Sequence, residues 1–165
     1  MAATYWAAEY SLMRVLDPGQ PVAAETHQHA ERMLDVVVLH TADASTLRAL
    51  KTAAMLASEL SARVHIVAPR IVPYALELHQ SPVPVGFTAQ HLRGLASQAG
   101  VEVSVNIVLC RDLMTMLAAV LKPHSLIVLG ESFSRWRAFN WLRGDYRLAR
   151  RLRKLGHQVL SADLN

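Results

Sequence analysis

The chain has 165 residues, of which 52% are hydrophobic and 18% are charged, with a formal net charge of +4. That balance fits one folded domain with a sizeable core and excludes an intrinsically disordered chain. No window approaches the roughly 18 consecutive apolar residues of a membrane helix, and the first residues lack the basic segment of a signal peptide. We therefore expect no membrane partner. The single cysteine, Cys110, cannot form an internal disulfide, and a reducing cytoplasm is its simplest setting.

Residues 1–34 differ in character from the rest of the chain. The apolar and aromatic residues between Tyr5 and Leu16 predict a short helix, which ends at the Asp17-Pro18-Gly19 sequence because proline and glycine break helices. A second helical piece is predicted from about Val22 to Met33. We therefore predict a partly helical N-terminal extension over 1–34 and one domain over 35–165. The extension is either loosely attached or an arm that covers the sheet or a partner subunit.

From residue 35 onward, strand patterns alternate with helix patterns. Short runs of β-branched or apolar residues predict buried strands, and apolar residues three and four apart predict helices. The predicted strands are 36–39, 63–68, 101–109, 125–130 and 157–161, and the predicted helices are 45–60, 88–98, 112–121 and 145–155. This alternation indicates right-handed crossovers and a parallel sheet with helices on both faces.

The stretch 125–134 marks the edge of the sheet where we expect function. An apolar run ends at Gly130, and the polar residues Glu131, Ser132 and Ser134 follow. In an open parallel sheet, ligands bind just outside the carboxyl ends of the strands, where the winding direction reverses. The loop after the first strand of the domain, residues 40–46, ends at the same edge.

The order of elements from 35 to 161 resembles the universal stress protein family. The local features that carry the resemblance are the loop and helix start 43–50, the strand 64–67 with its proline-rich connection, the helix–strand pair 114–130, and the helix 148–152 leading into 157–160. The resemblance implies an α/β fold: an open five-stranded parallel sheet of order 3-2-1-4-5 with helices on both faces, which is Rossmann-like. It also implies a homodimer, often formed through the last strand.

Nucleotide-binding members of that family carry the motif Gly-x2-Gly-x9-Gly-Ser/Thr from the end of the fourth strand. Its glycines let backbone amides approach phosphates near a helix N-terminus. Here Gly130 matches the first glycine, Phe133 stands at the second, and the third appears one residue late as Gly144-Asp145. The family's acidic residue at the end of the first strand is also displaced: Thr41 stands there, and Asp43 follows two residues later.

The resemblance implies a nucleotide site made of three pieces, with ATP or AMP as the ligand. No metal is predicted, because the sequence contains no Cys-x-x-Cys motif, no His-Glu-x-x-His motif and no complete P-loop. The candidate nucleotide-binding residues are Thr41, Ala42, Asp43, Val67, Ala68, Gly130, Glu131, Ser132, Ser134 and Arg135. In this interpretation the backbone at 67–68 faces the adenine, and Arg135, Arg137 or Arg143 replaces some of the missing phosphate-binding amides with charge. The alternative is that these residues form ordinary strand-end loops without a ligand.

The sequence therefore predicts a cytoplasmic, universal-stress-like protein that acts as a non-catalytic sensor or scaffold. Weak adenine-nucleotide binding is predicted at the carboxyl ends of the domain's first and fourth strands. One alternative is an ATP-hydrolysing universal stress protein. The other is a structural partner-binding module that has lost its ligand.

Three further features have weaker functional interpretations. Arginines and aromatic residues are interleaved over 135–154, a composition that can bind single-stranded nucleic acid. A run of charge is more often a solvated helix face, so nucleic acid is not an expected partner. Cys110 precedes Arg111, a neighbour that can lower a thiol pKa, although a buried, inert cysteine is favoured. His40 is interpreted as a loop or core histidine, because no catalytic partner follows from the spacing.

Overall fold

The computed structural model describes residues 10–14, 34–77, 84–130 and 147–162. Its strands are β1 (Tyr10–Arg14), β2 (Asp35–Leu39), β3 (Arg63–Ile71), β4 (Val103–Cys110), β5 (Leu126–Gly130) and β6 (Gln158–Ala162). They form one six-stranded sheet in the order β1-β4-β3-β2-β5-β6. Strands β2 to β6 are mutually parallel. Counted from β2, their order is 3-2-1-4-5, so the predicted five-stranded parallel sheet is confirmed.

The helix predicted between residues 5 and 16 is wrong where the structure describes that segment. Tyr10–Arg14 is a strand that pairs antiparallel with β4, with Tyr10 opposite Cys110 and Arg14 opposite Asn106. The physical reason is tertiary: β4 would otherwise leave a row of backbone N–H and C=O groups unpaired at the edge of the sheet. The second predicted helical piece, 22–33, lies outside the described residues.

Among the described residues, four helical segments lie between the parallel strands. They are α1 (Asp43–Leu60), α2 (Val85–Gln98), α3 (Leu113–Val120) and α4 (residues 147–154). Helix α1 ends at Ser61 in the left-handed conformation, φ 50°. Helix α3 begins at Asp112, whose side chain accepts a hydrogen bond of 2.7 Å from the backbone N–H of Thr115. That N-cap satisfies one of the amides a helix start leaves unpaired.

The core consists of two apolar layers, one on each face of the sheet. Helices α1 and α2 cover one face, with Leu50 and Leu92 completely buried against Val38 and Ile66. Helices α3 and α4 cover the other, where Leu117 and Leu152 are completely buried. The prediction of helices on both faces is confirmed. Within the described part of the chain, no helix combines the length and apolar character needed to cross a bilayer.

Candidate functional site

The winding of the sheet reverses between β2 and β5. From β2 the chain crosses through α1 to β3 on one side, whereas from β4 it crosses through α3 to β5 on the other side of β2. The carboxyl ends of β2 and β5 therefore flank the crevice in which open α/β sheets bind ligands. Residues 41–43 follow β2, and Gly130 is the last residue of β5. The candidates Glu131, Ser132, Ser134 and Arg135 lie outside the described residues.

Gly130 lies against the backbone of the first turn of α1. A Cβ atom built on Gly130 would be 1.8 Å from the carbonyl oxygen of Ser45 and 2.4 Å from its carbonyl carbon. No residue other than glycine fits there without a backbone shift. The requirement for glycine at this position is therefore explained by packing between β5 and α1, without a phosphate. Ser45 as a whole is buried, and its hydroxyl has no hydrogen-bond partner among the described residues.

The structure places Val67 and Ala68 inside a strand, rather than at a strand end as the sequence predicted. Strand β3 continues to Ile71, while β2 already ends at Leu39, which is level with Val67. The Val67 carbonyl accepts a 2.9 Å hydrogen bond from the backbone N–H of His40. That carbonyl is therefore engaged within the protein, and both residues are at most 3% exposed.

Because β3 extends past the end of β2, a group of polar residues comes together at this edge of the sheet. We call this group the carboxyl-edge cluster. Its members are His40, Asp43, Thr46, Arg70, Thr88 and His91. Three contacts link them: His40 Nδ1 to Thr46 Oγ1 at 2.9 Å, His91 Nε2 to Asp43 Oδ2 at 2.9 Å, and Arg70 Nη2 donating to Thr88 Oγ1 at 2.6 Å. The cluster connects the ends of β2 and β3 with the first turns of α1 and α2.

The charge of the carboxyl-edge cluster is set by burial and by its cations. Burial lowers the pKa of His40; Asp43 acts in the opposite direction, and Arg70 and His91 lower it further. His40 is therefore neutral near pH 7, and Arg70 supplies the permanent positive charge. Neither Ala42 before α1 nor Pro84 before α2 makes a side-chain cap hydrogen bond. The N-cap side chains therefore do not occupy the first-turn amides of these helices, and a helix N-terminus favours anions.

Sequence reasoning identified Asp43 at this edge but missed Arg70, Thr88 and His91. The sequence holds only a weak indication that these residues meet. Arg70 follows Pro69, which suggests a strand end, and Thr88 and His91 belong to the next helix. Only the extension of β3 past β2 places the Arg70 guanidinium within hydrogen-bond distance of Thr88.

Cys110 is a buried, free thiol, and its burial agrees with the interpretation that the sequence favoured. It is completely buried, and burial raises its pKa, with a further contribution from Asp112. The neighbouring Arg111 points away to the connection after β3, where it donates to the carbonyl oxygens of Val72 at 2.8 Å and Leu76 at 2.6 Å. Its charge therefore organises that connection and does not activate the thiol.

Two other sequence interpretations can be compared with the described residues. Among the residues that the structure describes, no group of three His, Cys, Asp or Glu side chains is placed to hold a metal ion. Of the basic segment 135–154, the structure describes 147–154, where a surface groove on α4 is lined by Arg147, Arg150, Arg151 and Lys154. The aromatic residues of that segment lie outside the described ranges.

Comparisons with known proteins bear on the fold. No protein-family model matches the chain, and no curated protein sequence does. The solved structure of a universal stress protein in complex with cAMP matches with a TM-score of 0.52 and 19% identity, over 79% of this chain and 96% of that one. A universal stress protein from Archaeoglobus fulgidus matches with a TM-score of 0.49 and 12% identity, over 84% and 100% of the two chains. The complex of the universal stress protein from Archaeoglobus fulgidus with dAMP also gives 0.49, with 16% identity, over 79% and 98%. Together with the observed strand order, the first of these matches shows that the chain has the α/β fold of the universal stress proteins.

Proposed function

We propose that the protein is a non-catalytic sensor or scaffold of the universal stress type that binds an adenine nucleotide weakly. The site is the crevice at the carboxyl ends of β2 and β5, with the carboxyl-edge cluster on one side. The observation that carries the proposal is the position of Arg70, a permanent cation hydrogen-bonded to Thr88 in the first turn of α2. Neither α1 nor α2 has a side-chain cap at its start. A protein of the same fold was solved with cAMP, which supports an adenine ligand.

The proposed affinity is low, and a monophosphate is favoured over a triphosphate. Phe133 and the shifted Gly144-Asp145 sequence remove the small residues through which backbone amides approach a phosphate chain. Arg70 can pair with one phosphate through its planar guanidinium. A single such group compensates for part of a phosphate-binding loop, so AMP or cAMP should bind better than ATP.

Titration calorimetry with AMP, cAMP and ATP at up to millimolar concentration tests this function. The site variant is Arg70→Gln, which removes the charge but keeps hydrogen-bond donors for Thr88. The matched control is Arg150→Gln, which makes the same change in net charge at an exposed position on α4, a helix that covers the opposite face of the sheet from α2. We expect Arg70→Gln to weaken AMP binding about tenfold, since a charge-assisted contact contributes on the order of 1.5–3 kcal/mol. Arg150→Gln should leave it unchanged.

Two results would refute the nucleotide proposal. One is the absence of any heat of binding for all three nucleotides at millimolar concentration. The other is equal weakening by Arg70→Gln and Arg150→Gln, because that would indicate attraction by net charge without a site. In the first case the protein is better explained as a structural partner-binding module.

We also propose that the protein forms a homodimer through the edge of β6. This strand pairs with β5 on one side only among the described strands, and its central residue Leu160 is 40% exposed. A lysine on an edge strand opposes pairing with another strand. Light scattering after size-exclusion chromatography should give a dimer for the wild type and a monomer for Leu160→Lys. The control is Leu155→Lys, which changes a similarly exposed leucine outside β6 and should stay dimeric. A monomeric wild type would contradict the proposal.

We propose a cytoplasmic location, in which the lone thiol Cys110 stays reduced. Fractionation of cells that express a tagged copy tests this location. Recovery from the medium or from membranes would contradict it.

A further inference from the structure

A second polar constellation lies at the opposite, amino edge of the sheet. Asp35 on β2, His65 on β3 and Ser104 on β4 occupy three adjacent strands. The strand register pairs His65 directly with Ser104, and it pairs Asp35 with Arg63, two residues before His65. Because alternate residues of a strand face the same side, the three side chains share the sheet face that α3 and α4 cover farther along.

Hydrogen bonds join these side chains into a Ser104–His65–Asp35 relay. His65 Nε2 lies 2.9 Å from Asp35 Oδ1, and His65 Nδ1 is in hydrogen-bond contact with the Ser104 hydroxyl. The second carboxylate oxygen, Oδ2, accepts a 2.6 Å bond from Lys122 Nζ. Burial tends to raise the pKa of Asp35, but the hydrogen bonds from Lys122 and His65 outweigh it and leave that pKa lowered. Asp35 is therefore a carboxylate at neutral pH.

An ionised Asp35 determines which nitrogen of His65 carries the proton. A carboxylate only accepts hydrogen bonds, so His65 Nε2 must carry a hydrogen and donate it. In the neutral imidazole, Nδ1 is then an acceptor and receives the hydrogen bond of the Ser104 hydroxyl. This is the arrangement in which a histidine can take the proton of a serine, with the roles of the two ring nitrogens exchanged relative to the serine-protease triad.

The relay is open to solvent on one side. The His65 and Asp35 side chains are 24% and 14% exposed, and Ser104 is half-buried. All three side chains therefore keep some contact with solvent, and the ring of His65 is held between two hydrogen-bond partners.

We propose that Ser104 is a nucleophile, activated by His65 and positioned by Asp35, that accepts an acyl group from small activated esters. The Ser104 Oγ atom forms a bond to the acyl carbon, and the bond from that carbon to the leaving oxygen breaks. The Oγ proton passes to His65 Nδ1 and then to the departing oxygen. The product is a Ser104 ester and the free alcohol, with no oxidant, metal or further reactant required.

Asp35 has a positioning role in this reaction because it acts through His65. Its carboxylate holds the Nε2–H tautomer and stabilises the imidazolium that forms when the Ser104 proton is transferred. Asp35→Asn would place an amide beside His65, and an amide can donate to Nε2 and favour the opposite tautomer. Nδ1 would then carry the proton and lose its function as a base. The charged groups around His65 are Asp35, Arg63 and Lys122.

The experiment uses 4-nitrophenyl acetate as the acyl donor and the full chain at neutral pH. Release of nitrophenolate gives the rate, and peptide mass spectrometry locates the acetyl group. We expect one acetyl group on Ser104 and a roughly 100-fold lower rate of Ser104 acetylation in His65→Gln, the contribution typical of a general base. Ser104→Ala should abolish the label, whereas Ser58→Ala, which changes an exposed serine on α1, should leave it unchanged.

A pH profile separates activation from a merely structural role. The wild-type rate of Ser104 acetylation should rise with pH, as expected of a reaction that depends on a general base. Asp35→Asn should lower that rate even where circular dichroism and thermal unfolding show a folded protein. Acetylation confined to lysines and the N-terminus, at the same rate in Ser104→Ala, would overturn the proposal. So would a rate and pH profile that Asp35→Asn and His65→Gln leave unchanged. The site is at the opposite edge from the nucleotide crevice, so its failure would leave the nucleotide proposal standing.

Discussion

Replacement of Gly130 by alanine is the most informative perturbation of the fold. The added Cβ would sit 1.8 Å from the Ser45 carbonyl oxygen, whereas real Cβ atoms essentially never come within 3.0 Å of such a neighbour. The difference of 1.2 Å (3.0 minus 1.8) must be supplied by movement of backbone. Neither partner is the end of a flexible side chain, so β5 must move away from the first turn of α1.

The expected cost follows from where that movement occurs. Extra methylene groups in a packed core cost about 1–3 kcal/mol when side chains can adapt. Here the neighbours of the contact are completely buried residues such as Val128 and Thr46, and the clash is with backbone. We therefore expect Gly130→Ala to lower the free energy of unfolding by about 3 kcal/mol or more, a large part of the roughly 5–15 kcal/mol typical of a domain.

Urea unfolding followed by circular dichroism measures this cost. With a slope of about 2 kcal/mol/M, a loss of about 3 kcal/mol lowers the midpoint by about 1.5 M. Gly94→Ala in α2 is the matched control, because a Cβ atom added to Gly94 would have no heavy atom within 4 Å. It should raise stability by up to about 1 kcal/mol, since alanine is the better helix former. Equal midpoints for the two variants would refute the described contact between β5 and α1.

Two further predictions concern pH and helix capping. Burial lowers the pKa of His40 and of His157 in the folded protein, so the unfolded chain takes up protons first, at about pH 6.5. The contribution of these two histidines to the free energy of unfolding should therefore be constant above about pH 6.5 and fall as the pH drops below it. Urea titrations of His40→Gln should show a shallower fall, and an unchanged slope would contradict the role of His40. Asp112→Ala removes the hydrogen bond from the Thr115 N–H and should lower the free energy of unfolding by about 1 kcal/mol in the same assay. Asp112→Asn keeps an acceptor oxygen and should lower it less. An equal loss of stability in the two variants would argue against the cap.

The parallel sheet could be predicted from the sequence because its strands carry continuous apolar runs. Residues 36–39 and 126–129 are nearly all aliphatic, and each strand is followed by a helix pattern, so element type and order were readable. The strand β1 could not be predicted, because its segment has no partner in nearby sequence. Its conformation depends on the open edge of β4, about a hundred residues away.

The candidate site was only partly predictable, for a reason visible at Pro69. Proline usually marks a strand end because it lacks an N–H group, yet β3 continues through Pro69 to Ile71. Strand β2 has already stopped at the level of Val67, so on that side β3 has no neighbour that needs the missing N–H. The Ser104–His65–Asp35 relay was equally hidden, because its members are 30 and 39 residues apart and meet only through strand register.

The close contact between Gly130 and Ser45 affects how the first glycine of the nucleotide-binding motif should be interpreted in other sequences. A glycine that the fold itself requires will remain in a chain whether or not a phosphate still binds beside it. Its presence is therefore a marker of architecture and carries little information about ligands. The later motif positions, occupied here by Phe133 and Gly144, are the ones at which loss or retention of small residues would distinguish nucleotide binders from relatives that keep only the scaffold.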